Sequence, residues 1–153
     1  MRVAIGSDHA GFSLKECVRA ELVRLGHQVE DVGTSSAGIS VDYPDFSIAV
    51  GEAVASGRAE RGVVLCATGI GASIAANKVE GVRASVVTSD ETARLTRSDN
   101  DSNVLALGGK TVPSFDDALR WLGVWLETPF AAGRHERRVH KILDYEAHHR
   151  STT

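Results

Sequence analysis

Val63-Val64-Leu65-Cys66-Ala67-Thr68-Gly69-Ile70-Gly71-Ala72-Ser73-Ile74-Ala75-Ala76-Asn77-Lys78 decides how this chain folds. An apolar, β-branched run ends at Cys66, a glycine-containing loop follows, and small residues then continue in a form suited to a helix. That is the signature of a buried strand turning directly into a helix. Backbone N–H groups in such a loop can face an oxyanion, and the start of the helix adds partial positive charge. The same surroundings favour the thiolate of a neighbouring cysteine. A tight turn with an inert buried Cys66 is the plainer reading, because free cysteine is often only a small hydrophobe. Lys78 comes too late for a Walker-type phosphate loop.

Working outward, similar apolar runs occur at 2–6, 28–32, 82–87 and 103–107, each bounded by Gly, Asp or Ser. Between them the spacing becomes helical. Leu14, Cys17, Val18, Leu22 and Leu25 share one helical face, and Gly26 supplies a C-terminal stop. Phe115, Ala118, Leu119, Leu122 and Leu126 pass the same test. Pro44 suits the first turn of a helix reaching toward Ser56, and 89–97 offers another short helix. Strands alternating with helices predict an α/β fold, a doubly wound, Rossmann-like parallel sheet in three layers with helices on both faces. The segment from Gly133 to Arg150 carries Val139, Ile142, Leu143 and Tyr145 at helical spacing. It predicts a C-terminal helix over about 134–150, resting on its own domain or on a second subunit. With 153 residues, 42% of them hydrophobic, the whole chain is expected to form one domain.

Composition narrows the function. A formal charge of -3, with 17 Lys and Arg scattered along the chain, provides no basic field for nucleic acid. The segment Met1-Arg2-Val3-Ala4-Ile5-Gly6 reaches a turn too early for a signal peptide, and no later run is long enough to span a membrane. Cys17 and Cys66 are the only cysteines, so neither a disulfide framework nor structural zinc is expected, and cytoplasm is the expected compartment. A thiol redox sensor is a weak alternative, since Cys17 sits on a helix in a different unit and no resolving cysteine lies nearby.

In doubly wound sheets, ligands bind beyond the carboxyl ends of the strands. Ser7-Asp8-His9-Ala10-Gly11, the loop after Cys66, and Gly108-Gly109-Lys110 all fall at such ends. Asp8 can accept a sugar hydroxyl or orient a ring nitrogen, and His9 can bind phosphate or move a proton; local capping and a solvated histidine are the plainer readings. Arg134 and Arg138, four apart, share a helical face and can form a two-pronged anion clamp, or simply a solvated charged face. His135, His148 and His149 read as surface residues with no second ligand set for a metal.

Taken in order, Gly6-Ser7-Asp8-His9-Ala10-Gly11-Phe12, Asp42-Tyr43-Pro44, Cys66-Ala67-Thr68-Gly69-Ile70-Gly71, Asn77-Lys78, Asn100-Asp101-Ser102-Asn103-Val104-Leu105 and Gly133-Arg134-His135 resemble the type B ribose-5-phosphate isomerase family, which also includes galactose-6-phosphate isomerase subunits. The resemblance runs over nearly the whole chain. It implies a homodimer, sometimes paired into tetramers, with sites built from both subunits. It also implies isomerisation of a phosphorylated sugar through a cis-enediol without metal or organic cofactor. By the same resemblance Cys66 is the base and Thr68 a helper at the carbonyl oxygen. The backbone of Ala67, Thr68, Gly69, Ile70 and Gly71 stabilises the oxyanion. Asp8, Tyr43 and Asn100 contact the sugar, while His9, Lys110, Arg134 and Arg138 hold phosphate, the last two from the neighbouring subunit.

Two departures stand out. Asp99 occupies a position where many members carry a histidine credited with opening the furanose ring, and Lys110 stands where an arginine is common, keeping charge but losing bidentate geometry. A carboxylate accepts a proton readily and donates one poorly near neutrality. A tetrose 4-phosphate cannot close a furanose, so an enzyme for erythrose 4-phosphate and erythrulose 4-phosphate would need no ring-opening acid. That isomerase is the first alternative to ribose 5-phosphate and ribulose 5-phosphate, and a non-catalytic sugar-phosphate-binding module is the second.

Overall fold

The computed structural model describes residues 1–150, without the side chain of the last. Its elements run β1 (Arg2–Ser7), α1 (Phe12–Arg24), β2 (Gln28–Asp31), α2 (Tyr43–Ala55), β3 (Arg61–Cys66), α3 (Ile70–Ala76), β4 (Ala84–Val86), α4 (Asp90–Ser98), β5 (Val104–Gly108), α5 (Phe115–Glu127) and α6 (Arg134–Arg150). All five strands form one parallel sheet in the order β2-β1-β3-β5-β4. This is the expected α/β, Rossmann-like architecture. Among the described residues no helix is long and apolar enough to cross a membrane.

Alternation along the strands divides the interior in two, because successive side chains point to opposite faces. Val3, Ile5, Val63, Leu65, Leu105 and Leu107 meet Leu14, Val18 and Leu22 of α1 and Trp121, Leu122 and Trp125 of α5. On the opposite face Ala4, Val64, Cys66, Val104 and Ala106 meet Val50 and Ala53 of α2 and Ala72 and Ala76 of α3. That second layer is built from small residues. A Cβ added at Gly62 would lie 2.5 Å from Val50 Cγ1, and one added at Gly6 would lie 3.1 Å from Val50 Cγ2, so α2 approaches the sheet more closely than a larger side chain would permit.

The central strands are buried as the apolar runs predict, but β2 and β4 are not. They form the two edges, each paired on one side only, and the run expected over 82–87 contributes just Ala84–Val86. Asn77 Nδ2 donates to the Ala84 carbonyl at 2.9 Å and its Oδ1 accepts from the Ala84 N–H at 2.7 Å. Asn103 likewise accepts from the Arg83 N–H and donates to the Gly81 carbonyl, both at 2.8 Å. Two asparagines of the motif series thus pin this short edge rather than lining a site. The face expected of the first helix also ends early: Leu25 lies beyond α1 and is 43% exposed.

One stripe of α6 touches its own domain. Val139 is buried, Glu146 Oε2 accepts from the Gly81 N–H at 3.1 Å, and His135 meets Asp99. The neighbouring stripe leaves Ile142 48% and Tyr145 64% exposed.

Candidate active site

The chain order reverses direction between β1 and β3, and a ligand crevice belongs at that point. Ser7 pairs with Leu65 in the parallel register, so the next residue on each strand, Asp8 and Cys66, leave the sheet side by side. Cys66 faces the small-residue layer by parity with Gly62 and Val64, and β5 brings Gly108 opposite it. Its sulfur accepts the Gly69 N–H at 3.2 Å. Cys66 is 4% exposed, buried within that small-residue layer.

Several close approaches hold the loop after Cys66. Gly69 has φ +79, and a Cβ there would meet the Leu107 backbone at 3.0 Å. The Thr68 hydroxyl accepts the Ile70 N–H at 3.2 Å, and Ser73 Oγ donates to the Ile70 carbonyl at 2.7 Å. Gly109 and Lys110 donate their N–H groups to the carbonyls of Cys66 and Ala67, both at 2.9 Å, which lays Lys110 along the loop. A Cβ at Gly71 would lie 2.6 Å from Tyr43 Cζ, so the Tyr43 ring covers this glycine. Asp8 is 6% exposed and its Oδ1 accepts the Gly11 N–H at 3.0 Å, the capping contact that the sequence also allowed. His9 Nδ1 lies 3.1 Å from the Val41 nitrogen and 3.2 Å from the Val41 carbonyl oxygen, so this ring nitrogen is engaged by the Val41 backbone and Nε2 is the one left for a ligand.

Gly108 is where this packing is tightest. An added Cβ would collide with Thr111 Oγ1 and come within 2.7 Å of the Thr68 carbonyl, a backbone atom that can yield only if the loop moves. Gly108→Ala is therefore expected to cost about 1–3 kcal/mol by overpacking. Gly123 provides the opposite case, because an added Cβ on this α5 glycine meets nothing within 4 Å. Gly123→Ala should stabilise by about 0.5–1 kcal/mol through helix propensity. Urea titrations of the two variants check both signs.

The remaining candidates lie elsewhere. Asp99 follows the last residue of α4 and Asn100 comes next, just ahead of β5, while Arg134 opens α6. The Asn103 carbonyl accepts the Gly62 N–H, and the Ala131 N–H donates to the Ser98 carbonyl, so this whole group sits at the amino ends of the strands. The five residues of β5 rise about 16 Å between the two ends. Within one chain, Asp8, His9, Tyr43, Cys66, the 67–71 loop and Lys110 gather at the carboxyl end, whereas Asp99, Asn100, Arg134 and Arg138 gather at the other. Arg134 and Arg138 are exposed.

His135 departs from the sequence reading. It is a partly buried residue, 16% exposed, with Nε2 3.5 Å from Asp99 Oδ1. The available signal was its position four residues before Val139, the buried residue of α6. The turn that carries Asp99 and Asn100 has its own supports, also unread in the sequence. Arg97 Nη1 donates to Asp101 Oδ1 at 2.8 Å and to the Ser102 carbonyl at 2.6 Å, and Trp125 Nε1 donates to Ser102 Oγ at 2.9 Å.

A separate cleft of about 520 Å³ lies between α1 and the β2 edge, lined in part by Lys15, Glu16, Arg19 and Asp31. Lys15 Nζ meets Asp31 Oδ2 at 2.6 Å and Glu16 Oε1 at 3.3 Å. The adjacent Arg19 guanidinium, bonded to Glu16, holds that carboxyl below its usual range. These charges compensate one another. A smaller pocket of about 110 Å³ lies by Thr68, Gly108 and Trp121.

Comparison with known proteins gives the geometry a context. The family model described as Ribose/Galactose Isomerase matches residues 3–142. A protein of Bacillus subtilis called a putative sugar phosphate isomerase is 42% identical over 147 residues, covering 95% of this chain and 97% of that protein. Ribose-5-phosphate isomerase B of Escherichia coli is 42% identical over 145 residues, covering 95% and 96%. The solved ribose-5-phosphate isomerase B of Clostridium thermocellum superposes with a TM-score of 0.94 at 48% identity, covering 97% of this chain and 99% of that one. Matched from its first strand into its last helix, and alike in fold and sequence over nearly its whole length, this chain belongs to the ribose/galactose isomerase family.

Proposed function

We propose that the chain is an aldose–ketose isomerase that interconverts ribose 5-phosphate and ribulose 5-phosphate. The observation that carries this reading is the Cys66 sulfur, held 3.2 Å from the Gly69 amide at the end of a central strand, beside Asp8. Removing a proton α to a carbonyl builds negative charge on oxygen, so the reaction needs a base and fixed donors together. Cys66 supplies the base that carries hydrogen between C1 and C2. The backbone of 67–71, with Thr68, supplies donors to the enediolate oxygens, while Asp8, Tyr43 and Asn100 fix the sugar hydroxyls. The route moves a proton and calls on no metal or organic cofactor.

His9 contacts the phosphate through Nε2, joined by Lys110, Arg134 and Arg138. Such contacts are remote from the reacting carbons and act by positioning. The separation of the two residue groups within one chain supports a homodimer, alone or paired into tetramers, in which the amino-end group of one subunit completes the carboxyl-end group of the other. Exposed Ile70 and Ile74 on α3 and Ile142 and Tyr145 on α6 are suited to such burial. The single-domain organisation and the cytoplasmic setting inferred from the sequence belong to the same reading.

The deciding assay presents purified protein with ribose 5-phosphate and erythrose 4-phosphate. Conversion of the pentose is the expected outcome. Preference for erythrose 4-phosphate would favour the tetrose reading that Asp99 raises, and binding of both without turnover would leave a sugar-phosphate-binding module. Arg138→Ala should raise KM for ribose 5-phosphate about tenfold, as expected for the loss of one charged hydrogen bond. Mixing Cys66→Ala with Arg138→Ala should regain activity beyond either variant alone, because some mixed dimers then carry one intact site.

A further inference from the structure

His135 and Asp99 meet where the end of α4 faces the first turn of α6. Nε2 of the histidine lies 3.5 Å from Asp99 Oδ1, and the two side chains are 16% and 37% exposed. The carboxylate is itself fixed, since Ser98 Oγ donates to the same Oδ1 at 2.8 Å. The backbone sets the approach as well. The Ala131 N–H donates to the Ser98 carbonyl at 3.0 Å, and the His135 N–H donates to the Ala132 carbonyl at 3.0 Å. His140, His148 and His149, on the same helix, are exposed.

An imidazole with one nitrogen turned to a carboxylate presents the other in a set tautomer and direction, the arrangement used to orient a proton-transfer histidine. With Nε2 the nitrogen nearer Asp99, Nδ1 is the one left to accept a proton. The immediate neighbours on α6 are Arg134, next in sequence, and Arg138, three residues on. In ribose 5-phosphate only C4 and C5 separate the ring oxygen from the phosphate ester oxygen. An imidazole beside a phosphate-binding arginine is therefore within range of that ring oxygen.

We propose that His135, oriented by Asp99, opens the furanose ring of the substrate in the site completed by Cys66 of a second copy. The inference rests on the ribose 5-phosphate reading given above and deepens it. Nδ1 takes the proton from the C1 hydroxyl. The C1–O4 bond then breaks with its electron pair going to O4, C1 becomes the aldehyde carbon, and the imidazolium returns its proton to O4. Nothing is oxidised or reduced, and the imidazole ends in the state in which it began. Asp99 acts as a positioning residue through His135.

The test compares two reactions in the full-length wild type, His135→Asn and Asp99→Asn. The first is conversion of ribose 5-phosphate, which begins from a ring. The second is exchange of the C1 hydrogen of ribulose 5-phosphate with deuterated solvent, followed by NMR. Ribulose 5-phosphate is acyclic because its 5-oxygen is esterified, so that exchange needs the proton transfer at carbon but no ring opening. The ratio of exchange to conversion is expected to rise about 10²-fold in His135→Asn, the lower end of what a positioned acid–base group contributes. It should rise in the same direction, by less, in Asp99→Asn, which keeps an acceptor for Ser98 and gives a second measurement should the histidine variant fold poorly.

A ratio equal to that of wild type in both variants overturns the proposal, whether the two rates fall together or stay high, because a merely structural or phosphate-binding histidine cannot separate them. Wild-type protein that catalyses neither reaction would overturn the isomerase reading itself, and with it this role for His135.

Discussion

Cys66→Ala lowers conversion of ribose 5-phosphate about 10²–10⁴-fold, the range expected when a positioned general base is removed, and exchange at C1 of ribulose 5-phosphate falls with it. The substitution removes one sulfur from a layer of small residues, so the fold should persist. Cys66→Ser sharpens the test. It keeps nearly the same volume and an acceptor for the Gly69 amide, 3.2 Å from the present sulfur, but replaces the thiol with a much weaker acid whose anion is scarce at neutral pH. Turnover of the serine variant should stay far below wild type while its unfolding midpoint stays close. The measurements are initial rates on both sugars and a thermal melt of each variant. An alanine variant with wild-type kcat would remove Cys66 from the mechanism and leave its role as core packing.

The largest stability effect is expected at Trp125. Its side chain is fully buried in the large-residue layer, donates Nε1 to Ser102 Oγ at 2.9 Å, and lies under the Arg61 guanidinium at 5.1 Å from the ring centroid. Arg61 in turn donates Nη1 to the carbonyls of Trp125 and Leu126 at 3.0 and 3.1 Å, closing the end of α5. Burial pushes the guanidinium pKa down from its ordinary value. Trp125→Ala leaves a cavity and strands the hydroxyl of Ser102, a residue with no exposed surface. The expected cost is about 3–5 kcal/mol, which corresponds to a melting point lower by roughly 6–20 °C for a chain of this size. Trp125→Phe separates the contributions, since it retains most of the ring and loses the hydrogen bond, with an expected cost near 1 kcal/mol. Similar melts for the phenylalanine and alanine variants would show that the hydrogen bond, not the packing, dominates.

The sheet class was legible because it depends on local pattern. The runs ending at Ser7, Cys66 and Gly108 alternate between two faces, and each is followed by glycine where the chain must turn closely. The edge strands were less legible. An apolar run does not reveal how many neighbours a strand will have, and only a strand paired on both sides needs the full burial expected of 82–87. His135 was misread for a related reason. Its charged neighbours suggest solvent, but its exposure depends on the angle at which α6 meets α4, and no local pattern contains that angle.

What the sequence determined by itself is the alternating α/β order, the turn from Cys66 into α3, and the cluster of polar and glycine-rich loops after the first, third and fifth strands. These follow from side-chain period and backbone freedom within a few residues. Only the tertiary structure decided that Asp99, Asn100, Arg134 and Arg138 lie at the end of the sheet away from Cys66, and that Asp99 faces His135. Parallel strands require each helix to carry the chain back across the sheet, so residues close to a strand in sequence can stand about 16 Å from its far end.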